Sequence, residues 1–106
     1  MPPINKEQLL ANTIRLQYRL NLTWTELLYI RQILLYDGDT PQISIKDLAT
    51  KLHRTGRQVQ IVLARLEEKE ILSRTAQFSI HTKGQQLPNR FSLAPLMQLI
   101  AEVEHE

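Results

Sequence analysis

The chain has 106 residues, a formal net charge of +2 and no cysteine, which allows one hydrophobic core but excludes a disulfide framework and any thiolate metal site. Its hydrophobic and charged fractions, 42% and 23%, are those of an ordinary soluble globular domain. No apolar run approaches the roughly 18 residues that a membrane span needs, and the N-terminus lacks the charged and apolar regions of a secretion signal. We therefore predict a single cytoplasmic domain over residues 1–106 with no membrane partner.

The first predicted helix covers residues 5–20, is capped by Asn5 and carries two apolar stripes. The stripe that we expect to face the core consists of Leu9, Leu16 and Leu20, which lie within about 40° of one another around the helix. The second stripe, roughly 120° away, consists of Leu10, Ile14 and Tyr18. It either lies in a groove of the same chain or meets another copy of the chain, and we expect the second arrangement.

A strong local signal precedes the second helix, which is predicted over residues 23–36. Thr23 and Glu26 match a capping box, and Leu22 before the cap can pack on Leu27 as a hydrophobic staple. Apolar residues then lie almost all round the helix, a pattern typical of a helix that is buried on all sides. Trp24, in its first turn, is accordingly predicted to be a core residue.

Two short amphipathic helices with a tight basic turn between them are predicted over residues 44–70, directly after a very short strand. Ser44 can cap the first helix, and Thr55 with Gln58 forms a second capping box. The apolar positions of the second helix recur at helical spacing: Val59, Val62, Leu63 and Leu66. Two helices joined by a turn of a few residues are the geometry of a helix-turn-helix.

After Ile71 the apolar period changes from helical to two, which predicts a wing hairpin over residues 71–93. A last helix, predicted over residues 94–104, has Pro95 in its first turn and apolar residues at i, i+3, i+4 and i+7. The order of elements predicts a mainly α (α+β) fold, a winged helix-turn-helix with an extra N-terminal helix and a C-terminal helix. The predicted interface of a homodimer or higher oligomer consists of Leu10, Ile14, Tyr18, Leu96, Leu99, Ile100 and Val103.

Positive charge is concentrated on the helix-turn-helix and the wing. Residues 51–90 carry eight Lys/Arg against three Glu (8 − 3 = +5), and the remaining residues carry five against eight Asp/Glu (5 − 8 = −3). Such a distribution favours an anionic partner, although a solvated polar face would carry the same charge. The candidate contacts to double-stranded DNA are Arg54, Thr55, Arg57, Gln58, Lys83 and Arg90.

The second helix of the pair is apolar where side chains that read bases would be expected. Ile61 and Ala64 lie opposite its core stripe, beside Arg57, and such a face is typical of protein contacts. An apolar side chain can also contact a thymine methyl group, so protein docking through Arg57, Ile61 and Ala64 and direct DNA binding stay open as alternatives. No catalytic constellation, phosphate loop or metal-ligand spacing is present, and we predict a non-enzyme without cofactor or metal.

Two segments that flank the helix-turn-helix carry a family resemblance. Residues 21–28 read NLTWTELL and lead into an apolar helix, and residues 90–96 read RFSLAPL and lead from the second wing strand into the last helix. Both are similar to the corresponding segments in the N-terminal winged-helix domain of the DnaD family of primosomal replication initiation proteins. Residues 45–72 match the helix-turn-helix of that family in length and apolar pattern, and the whole resemblance covers roughly residues 9–101.

The resemblance implies a bacterial or phage cytoplasmic protein of primosome assembly. The N-terminal domains of this family act mainly as oligomerisation and protein-docking modules, and the initiator DnaA is a typical partner. DNA binding in the family lies largely in a separate C-terminal domain, so its DNA-remodelling activity is not expected of these 106 residues. The expected function is a non-catalytic oligomerising and docking module in DNA replication initiation. The alternative is a winged-helix DNA-binding regulator of transcription or plasmid replication.

Overall fold

A computed structural model describes residues 5–78 and 86–105. The described elements, in chain order, are α1 (Lys6–Arg15), α2 (Trp24–Leu34), β1 (Gln42–Ile43), α3 (Ile45–Leu52), α4 (Gly56–Glu68), β2 (Ser73–Phe78), β3 (Gln86–Ser92) and α5 (Ala94–Glu104). Helices and one small antiparallel sheet make this an α+β protein, as the sequence predicts. None of the described helices has the length and apolar character that crossing a membrane requires.

The first helix is shorter than predicted. α1 begins at the predicted cap, where the Asn5 side chain accepts a hydrogen bond from the Gln8 amide at 3.1 Å. It ends at Arg15 rather than at residue 20, and the chain continues through turns to Asn21, whose φ of 57° is left-handed. Asn tolerates that conformation better than most residues. Leu9, Leu16 and Leu20, the stripe predicted to face the core, are buried.

α2 packs on α1 and α3 and begins with the predicted capping box. The Thr23 hydroxyl accepts from the Glu26 amide at 3.1 Å, and the Glu26 carboxylate accepts from the Thr23 amide at 2.9 Å. The buried face of the helix consists of Glu26, Leu27, Tyr29, Ile30 and Ile33.

The prediction that α2 is buried on all sides, with Trp24 in the core, is wrong. Trp24, Leu28 and Leu35 are exposed on the side opposite the buried face, because no element of the described residues packs over it. An apolar side chain contributes to the core only where another element covers it, and here α1 and α3 cover one face alone.

A buried ion pair ties the start of α2 to the end of α4. Lys69 donates to the fully buried Glu26 carboxylate at 2.7 Å and to the Asn21 carbonyl at 2.7 Å. Burial raises the pKa of Glu26, but the Lys69 ammonium and the hydrogen bonds from Thr23 lower it more, so this pKa lies below its ordinary value. The pair fixes the rotation of α2, and therefore fixes which of its faces points outward.

α3 and α4 pack against each other through a short turn. Ser44 caps α3, accepting from the Asp47 amide at 3.0 Å, and His53 ends it with a left-handed φ of 55°. Thr55 and Gln58 form the predicted capping box of α4, with bonds of 3.1 and 3.0 Å. The residues of α4 predicted to face the core, Val59, Val62, Leu63 and Leu66, are all buried.

The three strands form one antiparallel sheet in the order β1-β3-β2. Gln42 pairs with Arg90 at the edge, and Ser73 pairs with Ser92 in the hairpin. The Leu96 amide donates to the Ile71 carbonyl at 3.1 Å and so ties the first turn of α5 to the chain that enters β2. The sheet thereby sets α5 beside the end of α4, where a surface groove forms.

Candidate functional site

Three large apolar side chains, two on α2 and one on its C-cap residue, form an exposed line, here named the α2 stripe. Trp24, Leu28 and Leu35 are 70%, 52% and 63% exposed. Their spacing of i, i+4 and i+11 keeps them within about 40° of one another around the helix, and the exposed Arg31, at i+7, lies in the same line. Anchors at this spacing on one helix face are the pattern that partners recognise in helix-in-groove binding.

The α2 stripe cannot turn inward without breaking the core. On the opposite face Tyr29, Ile30 and Ile33 are buried to within 2% of complete burial. The Glu26–Lys69 ion pair and the capping box hold the same face in place. α2 therefore presents Trp24 and its neighbours to solvent as a rigid, preformed surface.

The structure exposes only some residues of the predicted oligomer interface. Tyr18 is 94% exposed, Ile14 is exposed and Leu10 is half-buried. Only Leu10 and Ile14 lie on α1, since Tyr18 follows its end, and the exposed Ile14 and Tyr18 are available to a partner. The prediction needs correction at α5. Leu96 and Ile100 are buried in the core of the same chain because that face of α5 packs inward against it. Leu99 and Val103 are partly buried against that core.

The predicted DNA contacts are only partly brought together. Arg54, Thr55, Arg57 and Gln58 are exposed around the N-terminal end of α4. The side-chain oxygens of Thr55 and Gln58 already accept hydrogen bonds from backbone amides in the capping box. The Arg90 side chain donates to the Thr40 hydroxyl at 3.3 Å, and Lys83 lies outside the described residues.

The predicted protein-docking residues Arg57, Ile61 and Ala64 are all exposed on α4. Ile61 is 52% exposed, the same fraction as Leu28 in the α2 stripe. At one edge of this face, Arg74 donates to Glu67 and to Gln60 at 2.7 Å each. The predicted docking face of α4 is therefore apolar in its middle, at Ile61 and Ala64. Its cationic member, Arg57, lies near the N-terminal end of the helix.

A groove of about 520 Å³ lies between the end of α4, the start of β2 and α5, and is here named the α4–α5 groove. Its apolar and acidic lining includes Glu67, Glu70, Leu72, Pro95, Leu99 and Glu102. The sequence patterns did not reveal this groove because its walls come from segments more than twenty residues apart, and no local period connects them. Of the predicted interface residues, Leu99 lines it.

Within residues 5–78 and 86–105, no group of three or more His, Cys, Asp or Glu side chains is placed to hold a metal ion. The described surface offers a partner the α2 stripe, the exposed Ile14 and Tyr18, the α4 face and the α4–α5 groove. No protein-family model matches the chain, and no curated protein matches its sequence.

Proposed function

We propose that this protein is a non-catalytic oligomerising and protein-docking module in the assembly of DNA replication initiation complexes. The observation that carries the proposal is the exposure of the α2 stripe. Single apolar residues scattered over a surface are normal, whereas contiguous apolar patches mark interaction sites. Trp24 and Leu28 are adjacent on successive turns of α2, and Leu35, its C-cap residue, lies in the same line beyond Arg31, so these side chains are aligned rather than scattered.

The size of the stripe is appropriate for association. Its three side chains expose roughly 300–400 Å², taking a large aromatic side chain as roughly 250 Å². Removing that area from water stabilises a complex by about 8–10 kcal/mol at about 25 cal/mol per Å². Association costs about 4–15 kcal/mol in lost freedom, so the stripe supplies a substantial part of what an interface needs.

The arrangement of elements supports a winged helix-turn-helix as the fold of this module. α3 and α4 form the helix pair, β2 and β3 form the hairpin that follows, and β1 pairs with the outer edge of β3. α1 and α5 are additions before and after that unit, and they contact each other.

The resemblance to the DnaD N-terminal domain supports the place in replication initiation, with DnaA as the docking partner that it implies. Residues 21–28, one of the two segments that carry the resemblance, contain Trp24 and Leu28. The apolar face around Ile61 and Ala64 offers a second surface on which a different protein can dock.

Sedimentation equilibrium tests the oligomerising part of the proposal. We expect the wild type to self-associate at micromolar concentrations and the double variant Trp24→Ser/Leu28→Ser to be monomeric. Ile61→Ser is the matched control, since Ile61 and Leu28 are equally exposed, and it should associate as the wild type does. A wild type that stays monomeric at high micromolar concentration would contradict the proposal.

One observation favours a second candidate function, DNA binding by a regulator of transcription or plasmid replication. Arg54 and Arg57 are exposed at the N-terminal end of α4, where the helix dipole also favours an anion. A DNA reader binds duplex with an affinity that falls steeply as salt rises. Duplex binding at low salt that is lost in Arg54→Ala/Arg57→Ala would favour this candidate, and no duplex binding at low salt would exclude it.

A further inference from the structure

We propose that the α2 stripe of one copy docks into the α4–α5 groove of a second copy, and that two copies exchange this contact reciprocally in a closed dimer. The inference rests on the proposed self-association and names the two surfaces that meet. The occupant of the groove is thus a second copy of this chain.

The lining of the α4–α5 groove suits a partner that is both apolar and cationic. The groove is lined by the buried Leu72 and the partly buried Pro95 and Leu99, which we take as its apolar floor. It is also lined by Glu67, Glu70 and Glu102, and the exposure of the last two makes its rim acidic. Of the rim carboxylates, Glu67 is already paired with Arg74 at 2.7 Å. Glu70 and Glu102 are exposed, and neither forms an ion pair with another residue in the described parts of the chain.

The α2 stripe has the matching composition. It places apolar anchors on both sides of one cation, Arg31, which is itself exposed. When the anchors lie on the apolar floor of the groove, the guanidinium reaches an acidic rim. Opposite charges arranged in this way set the register of an interface and steer its formation.

The area of the stripe alone is too small for a stable interface. A stable interface of standard size buries about 800 Å² on each partner, and the stripe exposes roughly half of that. A stripe packed against a second stripe therefore buries too little. A reciprocal arrangement buries the stripe and the groove of each copy, which brings the buried area per copy closer to the standard value.

The start of α2 and the end of α4 are neighbours within one copy. The Glu26–Lys69 ion pair, at 2.7 Å, joins the first turn of α2 to the residue that ends α4. Glu70, on the groove rim, is the next residue along the chain. The first turn of α2 thus lies near the Glu70 end of the groove, with Trp24 on the outward side of that turn, and a single two-fold axis can bring the stripe and the groove into one self-complementary interface.

A charge exchange tests the proposal with exposed residues only, so the fold is preserved. Arg31→Glu makes the stripe acidic, and Glu70→Lys/Glu102→Lys makes the rim basic. Each variant alone then sets like charges against each other at both contacts, and its self-association should weaken by roughly tenfold or more. In an equimolar mixture, both contacts pair opposite charges, and association should return to near the wild-type level.

The control for net charge is Lys46→Glu, which makes the same charge change on exposed α3 surface and should leave association unchanged. Sedimentation velocity measures all of these species, and circular dichroism checks their folding. If the wild type associates and the rim variant associates equally well, or if the mixture fails to recover, the stripe does not occupy the groove and this inference is overturned while the proposed function stands. A wild type that is monomeric overturns both.

Discussion

The Glu26–Lys69 ion pair should respond very differently to the loss of each partner. Lys69→Met leaves the fully buried Glu26 carboxylate without its cation. One oxygen of that carboxylate, Oε2, already has no hydrogen-bond partner among the described residues. Removing one partner of a buried ion pair costs about 3–5 kcal/mol of unfolding free energy. Glu26→Gln keeps an amide oxygen for the capping box and leaves a Lys69 side chain that is 26% exposed and can be hydrated. Its expected cost is smaller, about 1–2 kcal/mol.

The pH dependence of the same pair has a definite sign. Burial raises the pKa of Glu26, but Lys69 and Thr23 lower it further, so the folded protein holds this pKa below the ordinary 4.5. A lowered carboxyl pKa contributes stability at pH values above the unfolded pKa, and that contribution is lost as the pH falls through the folded pKa. In Lys69→Met burial acts without the ammonium, so the pKa of Glu26 should rise.

Urea unfolding at several pH values measures both effects. At pH 7 Lys69→Met should be less stable than Glu26→Gln, and its deficit against the wild type should shrink as the pH falls towards about 4, where its buried carboxyl is already protonated. Equal losses for the two variants, or a deficit that does not change with pH, would mean that Glu26 is not a buried charge held by Lys69.

Three further stability predictions concern single residues. Leu66→Ala, at a fully buried position of α4, should cost about 2–5 kcal/mol of unfolding free energy. Leu28→Ala on the α2 stripe should cost less than about 1 kcal/mol. Equal losses for the two variants in thermal unfolding would contradict the assignment of the α2 faces. Tyr29→Phe should raise stability by about 1 kcal/mol, because the buried Tyr29 hydroxyl has no hydrogen-bond partner among the described residues; a loss in urea unfolding would show that the hydroxyl is paired. Thr55→Ala should cost about 1 kcal/mol by removing the cap of α4, and Thr55→Ser, which keeps the hydroxyl, should cost little in the same measurement.

Local signals in the sequence predict the starts of the helices well. The caps at Asn5, Thr23, Ser44 and Thr55 are all formed, because capping depends on a side chain and an amide that are three residues apart. The buried face of α4 also follows from its period. These features involve contacts within one or two helical turns, which a sequence pattern records directly.

The placement of surplus apolar surface could not be predicted in the same way. The apolar character of a residue indicates that its side chain is more stable when buried, but it does not indicate which element packs over it. On α2 the pattern predicts burial of Trp24 and Leu28, and no described element of the chain covers them. On α5 the reverse holds, since Leu96 and Ile100 were predicted to meet a partner and are covered by the same chain.

Long-range geometry lies beyond sequence patterns for a related reason. The capping box identifies Glu26, but its ion pair with Lys69 joins residues 43 positions apart. The α4–α5 groove likewise exists only because the hairpin returns α5 to the end of α4. Both depend on packing of distant elements, which no local spacing encodes.

We propose that another protein surface covers the α2 stripe, and Trp24, the only tryptophan in the chain, reports on this contact directly. Tryptophan fluorescence and its quenching by acrylamide can be followed over a dilution series of the wild type. We predict exposed, readily quenched emission at low concentration, with a shift to shorter wavelength and protection from quenching as the concentration rises. Emission that stays fully exposed up to high micromolar concentration would contradict the claim.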